Sequence, residues 1–214
     1  MTDERRDVTV PGVTARGTGE AYAGGIEMSA NLWLAWGMIA IDAAAGAFAA
    51  RRAGCEDGLG EETRQGLVSV CASAFSMEAL SRDLASVLSP PQRTRSGGSS
   101  RSNAANVVGE VLKRSIQTPK RGLELGQRWT PVFQLRDSAV HYEEKSKPTQ
   151  LHPSGGHTSF VNVQFSADAA RDAALLLVET VAGVVEAPKV AVRDWAIRQR
   201  SAMELLTGRA DGRP

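Results

Sequence analysis

Between Glu61 and Leu88 the apolar residues Leu67, Val68, Cys71, Ala74, Phe75, Met77, Leu80, Leu84, Val87 and Leu88 recur at helical intervals. That spacing builds a wide buried face on an α-helix, whereas a half-buried strand would alternate with a period of two. Pro90 and Pro91 stop the helix, because proline lacks the amide donor and clashes with the preceding turn. The pattern predicts a helix over 61–88.

The rest of the chain extends this helical character. Its 214 residues suit one domain and suffice for a core without disulfides or structural metal. Aromatic residues make up only 5%, and alanine, leucine and valine supply most of the apolar surface, which favours helices over sheets. A first helix is expected from about Glu20 to Ala53, with Gly54, Gly58 and Gly60 marking the turn after it. Further helices are expected over Ala104–Ile116 and over Leu123–Tyr142, the latter disturbed near Pro131. Ser166 reads as the N-cap of a helix over 167–187, and Pro188 separates it from a last helix over 190–206. TSFVNVQF, residues 158–165, alternates like a strand but has little to pair with, so it reads as an extended connector.

The expectation is an all-α bundle of five to six helices. Residues 1–19 read as a flexible arm and 20–207 as a single helical domain. Polar loops fall near 89–103 and 145–165, and 208–214 read as a disordered tail.

A net charge of +1 argues against a whole-surface nucleic-acid binder but leaves room for a local basic patch. Cys55 and Cys71 form no CxxC or Cys/His cluster, so no zinc site and no cofactor are expected, and Cys71 reads as a small core residue. The N-terminus carries no signal-peptide pattern. Leu32–Ala50 is apolar enough to suggest a membrane span, but Asp42, Gly37, Gly46 and the dominance of alanine point to a core helix. The expected compartment is the cytoplasm, without a membrane partner.

The candidate site lies in LRDSAVHYEE, residues 135–144. Arg136 and His141 stand near a helix end with four residues between them, and Asp137 follows the arginine. A guanidinium can hold a phosphate in bidentate fashion and a neutral imidazole can take a ribose 2′-hydroxyl proton. On a regular helix the two side chains point about 140° apart, so they converge only if the helix ends between them or a two-fold interface brings partners together. The other reading is a surface arginine paired with a helix neighbour and a histidine at a helix C-terminus, where the dipole favours a cation.

Arg136, Asp137 and His141, written RDSAVH, resemble the Arg-x4-6-His mark of the HEPN superfamily of all-helical domains. CASAFSMEALSRDL at 71–84 and the alanine-rich helix over 167–186 are also similar to that family, and the likeness in helix order spans roughly 20–187. The resemblance implies a metal-independent endoribonuclease, or a non-catalytic RNA- or protein-binding relative, of a toxin–antitoxin, defence or RNA-processing system. It implies Arg136 as phosphate ligand, His141 as acid/base and Asp137 as the orienting polar residue. It also implies a homodimer in which two Arg/His pairs line one cleft, and an antitoxin or regulatory protein as a partner. In one branch a tyrosine stands two residues after the histidine; here Tyr142 stands one residue after it. A purely structural helical protein in which RDSAVH is coincidence is the remaining reading.

Glu78, among apolar residues, either faces and holds Arg136 or sits solvated at the stripe's edge. Lys113, Arg114, Lys120, Arg121 and Arg128 form a basic run towards Arg136 that reads either as a phosphate track or as a solvated helix face. His152 and His157 read as solvated loop residues. Trp33, Trp36, Trp129 and Trp195 sit at helical positions and read as core or interface anchors.

Overall fold

The computed structural model describes residues 13–15, 28–54, 57–88, 103–140 and 148–212. They form α1 (Leu32–Ala53), α2 (Gly58–Val87), α3 (Asn103–Ser115), α4 (Pro119–Val140), the five-residue α5 (Phe160–Gln164), α6 (Ala167–Glu186) and α7 (Arg193–Ala210). Two short antiparallel pairs accompany them: β1 (Val13–Ala15) with β2 (Met28–Ala30), and β3 (Gln150–Leu151) with β4 (His157–Thr158). The molecule is an all-α packed bundle with six helices of 13 residues or more among the described residues.

α2 is the central member and packs against α1, α3, α4 and α6. Its sequence explains why. Glu62, Gly66, Ser69, Ser73 and Ser76 fall on one buried stripe of small or polar residues. This lets neighbouring backbones come close: a Cβ on Gly66 would lie 1.8 Å from the Phe165 carbonyl oxygen. Two hydroxyls on the stripe, Ser69 and Ser76, bond adjacent backbones, while Ser73 Oγ is buried without a hydrogen-bond partner. Ser69 Oγ lies within hydrogen-bonding distance of the carbonyls of Ala40 on α1 and Ala170 on α6, and Ser76 Oγ donates to Trp33. Below the stripe, Met77, Leu80 and Leu84 are fully buried with Trp33, Trp129 and Leu177. Trp129 Nε1 donates to Thr180 Oγ1 at 3.1 Å, which fixes α4 against α6.

The helices over 58–87, 103–115 and 167–186 follow their expected bounds closely. Other expectations are corrected. α1 begins at Leu32, not near Glu20, because Met28–Ala30 pair as a strand with Val13–Ala15. That pairing also places Val13–Ala15 in regular structure within the expected N-terminal arm, whose other residues lie outside the described ones. Gly54, with φ 61°, ends α1, while Gly58 and Gly60 belong to the first turn of α2. α4 begins at Pro119, a residue suited to a first helical position because its missing amide has no partner there anyway. Residues 160–164 are helical rather than extended, and the expected loop over 145–165 also holds β3 and β4. The expected tail is ordered through Ala210, where Arg209 bonds Asp42 at 2.5 Å. The loop near 89–103 lies outside the described residues apart from Asn103.

α1 has the length and hydropathy of a membrane span, with a mean hydropathy of 1.5 over its best window. In this fold it lies against α2, α6 and α7, with Trp33, Leu34, Ala40 and Ile41 buried.

Candidate functional site

Leu125, Trp129, Val132 and Arg136 follow one another at four-, three- and four-residue steps along α4. The first three are buried core side chains. Arg136 therefore occupies the next core-facing position, one turn beyond the packed aromatics. There its guanidinium stacks 5.1 Å from the Phe133 ring.

Glu78 on α2 meets it. Arg136 Nη1 donates to Glu78 Oε1, and Arg136 Nε and Nη2 donate to Asp137 Oδ1 at 3.0 and 2.8 Å. The side chains of Arg136, Glu78 and Asp137 keep 14%, 28% and 36% exposure, so the cluster sits at the rim of the core rather than in it. Burial alone would lower the arginine pKa. The hydrogen bonds that Arg136 donates to Glu78 and Asp137, and the charges of those carboxylates, outweigh it and hold Arg136 above its ordinary value. Of the two readings of Glu78, the one that faces and holds Arg136 describes the structure. Its partial exposure shows that it is an edge residue as well.

Guanidinium carries five N–H donors, and these bonds to Glu78 and Asp137 engage three. The two others suffice for bidentate contact with a phosphate. Cys71, half-buried on α2, feels the same cation: burial raises its thiol pKa and the charge of Arg136 opposes that. Cys71 is thus a partly buried neighbour of the cluster rather than a fully buried core residue. His141 lies outside the described residues; α4 is described through Val140.

The basic run gathers at the other end of α4. Lys120, Arg121 and Arg128 line a cavity of about 380 Å³ with Thr118, Glu124, Leu125 and Glu179. Lys120 lies 3.9 Å from Glu124, and Arg128 bonds Glu179 at 2.6 Å. Lys113 pairs with Glu110 at 3.4 Å, and Arg114 has an interaction partner as well. Sixteen residues separate Lys120 from Arg136, about 24 Å along the helix axis. The structure therefore places Lys120, Arg121 and Arg128 on one helix with Arg136 but not in one pocket with it, and Lys113 and Arg114 on α3.

No protein-family model matches the chain, and no curated protein or solved structure matches it significantly.

One cluster escaped the sequence reading. Glu62, 2% exposed, accepts at Oε1 from Arg51 Nε and Nη2 at 3.0 and 2.7 Å and from the Ala167 backbone amide at 2.8 Å. Arg51 Nη1 reaches on to Asp168 at 2.9 Å. The carboxylate thus joins the end of α1 to the start of α6. It also takes over the capping role expected of Ser166, whose side chain makes no cap bond. His152 is buried against it, correcting the expectation of a solvated loop residue. His152 Nδ1 accepts from the Ser154 amide at 3.2 Å, with Ser154 Oγ at 2.8 Å, and Nε2 faces Glu62 Oε1 at 3.4 Å. His157 is exposed, as expected. Glu62 did carry a signal, because it falls on the same stripe as Gly66 and Ser69. Nothing local announces its partners, which lie up to 105 residues away. Among the described residues no group of three or more His, Cys, Asp or Glu side chains is placed to hold a metal ion.

Proposed function

We propose that this bundle is a HEPN-like endoribonuclease of the cytoplasm that needs no metal and works as a homodimer. What supports the reading is Arg136 itself. A guanidinium occupies a core-facing position where an apolar side chain would stabilise at least as well, since removing ions from water costs most of what their pairing returns. Two carboxylates orient it and leave it two donors, and His141 follows five residues later.

The chemistry follows from these groups. Arg136 holds the non-bridging oxygens of the scissile phosphate and stabilises the charge that builds there. His141 takes the proton of the adjacent 2′-hydroxyl as that oxygen bonds to phosphorus. The bond to the 5′ oxygen breaks, and the leaving oxygen takes a proton from the imidazolium. The products are a 2′,3′-cyclic phosphate and a 5′-hydroxyl. Asp137 keeps the guanidinium in register. An antitoxin or regulatory protein is the partner such an activity calls for.

The experiment is incubation of the full chain with total RNA in the presence of a chelator. Wild type is expected to cleave and His141→Ala is expected not to. Equal cleavage by both, or none by wild type, removes the catalytic reading.

A second reading, a non-catalytic RNA-binding module, is favoured by the cavity at the start of α4 with Lys120, Arg121 and Arg128 on its wall. It predicts salt-dependent RNA retention that survives His141→Ala and falls on charge reversal at Lys120 and Arg121. No retention by wild type at low salt refutes it.

A further inference from the structure

Three of the four tryptophans are core: Trp33 and Trp129 are 0% exposed and Trp195 is 5% exposed. Trp36 is different. It is 37% exposed and sits with its ring centroid 5.3 Å from Phe75, itself 36% exposed on α2. Phe75 lies between Cys71 and Glu78 at four- and three-residue steps, so all three share one face of α2, and Arg82 continues that face as an exposed cation. Glu78 is the residue that holds Arg136. An exposed aromatic pair therefore lies one helical turn along α2 from the carboxylate that holds the Arg136 guanidinium.

We propose that Trp36 and Phe75 form a stacking platform for one or two unpaired bases of an RNA strand whose backbone passes over Arg136, with Arg82 as a second phosphate contact. The proposal rests on the ribonuclease reading of Arg136 and names its substrate as single-stranded. Ring faces bind any base by stacking, while cations beside them track the backbone, and a paired base cannot offer its face. The size of the patch points the same way. Leu32, 56% exposed, and Ile39, 43% exposed, extend the apolar stripe along α1, and Asp42, bonded to Arg209, closes it. Taking large side chains at roughly 150–250 Å² each, the four together expose on the order of 300–400 Å². A stable protein interface needs roughly 800 Å² from each partner. One or two bases fit the smaller area.

The probe is a short, fluorescently labelled, single-stranded 2′-O-methyl RNA, which cannot be cleaved at the 2′ oxygen, titrated with the full chain at low salt. Trp36→Leu and Phe75→Leu are each expected to weaken binding about tenfold, and Trp36→Phe to stay within about threefold of wild type. A duplex of the same sequence is expected to bind equally to wild type and Trp36→Leu. A readout that needs no variant accompanies this: the single-stranded probe should shield the iodide-accessible tryptophan fluorescence, which belongs to Trp36. The proposal is overturned if Trp36→Leu binds as wild type does, if wild type binds no single strand, or if the probe leaves iodide quenching unchanged. It is also overturned if Trp36→Leu dissociates a wild-type dimer in sedimentation without altering RNA affinity, which makes a second copy the occupant. Because the probe is uncleavable, the two readings fail separately. Loss of cleavage activity with Trp36-dependent binding retained removes the nuclease and keeps the platform.

Discussion

Replacing Glu62 by alanine tests the packing logic of the bundle. The carboxylate is almost fully buried, accepts from Arg51 on α1 and from the Ala167 amide at the head of α6, and lies 3.4 Å from His152 Nε2. Alanine leaves the Ala167 amide without its acceptor, at about 1–3 kcal/mol for a buried orphaned donor. Breaking a fully buried ion pair costs about 3–5 kcal/mol, but Arg51 keeps 18% exposure and its bond to Asp168, which reduces that share. The two effects together give about 3 kcal/mol. For a chain of this size that lowers Tm by roughly 6–12 °C. Glu62→Gln keeps a carbonyl for the Ala167 amide and should lose about half as much. Urea unfolding followed by circular dichroism measures both, and Glu61→Ala, one residue away on the exposed side, removes only a solvent-screened pair with Arg64 and should shift the midpoint far less. If Glu62→Ala costs less than about 1 kcal/mol, the carboxylate does not join α1 to α6 as argued.

Gly66→Ala should be more damaging. Its Cβ would meet a backbone carbonyl at 1.8 Å, so α5 and the head of α6 must move away from α2. A loss above about 3 kcal/mol in urea is expected, and a variant of wild-type stability contradicts the close approach. Glu61 should titrate at about 2, held there by hydrogen bonds from Arg64 and Gln65 and by the Arg64 charge. A lowered carboxyl pKa means that its contribution is present above the unfolded-chain value of about 4.3 and is lost as pH falls towards 2. Carboxyl-carbon NMR checks this, and an ordinary value in wild type, or no rise on Arg64→Ala, refutes it.

The helices were legible where one period decided them. In α2, nine apolar positions from Leu67 to Val87 follow one helical period, and in α6 alanine and leucine do the same. The start of α1 was not legible, because Met28–Ala30, inside a run that reads as continuous helix, instead pair with Val13–Ala15 some 15 positions earlier. Glu78 with Arg136 could be suggested, since each interrupts an apolar stripe and such interruptions need one another. His152 could not. A histidine between a leucine and a proline in a Ser/Gly loop carries no mark of burial, and its burial depends on Glu62 from a distant helix. The exposure of Trp36 was hidden for a related reason: the apolar stripe of α1 runs past the area that α2, α6 and α7 cover.

Cleavage by Arg136 and His141 through the ribose 2′-hydroxyl, as proposed, leaves its mark on the product ends, which are read from a defined single-stranded RNA incubated with the full chain and excess chelator. The expected ends are 2′,3′-cyclic phosphate and 5′-hydroxyl, lost in Arg136→Ala and His141→Ala and blocked by 2′-deoxy substitution at the scissile nucleotide. Fragments with 5′-phosphate ends, cleavage that survives both substitutions, or intact RNA with wild type contradict the proposal.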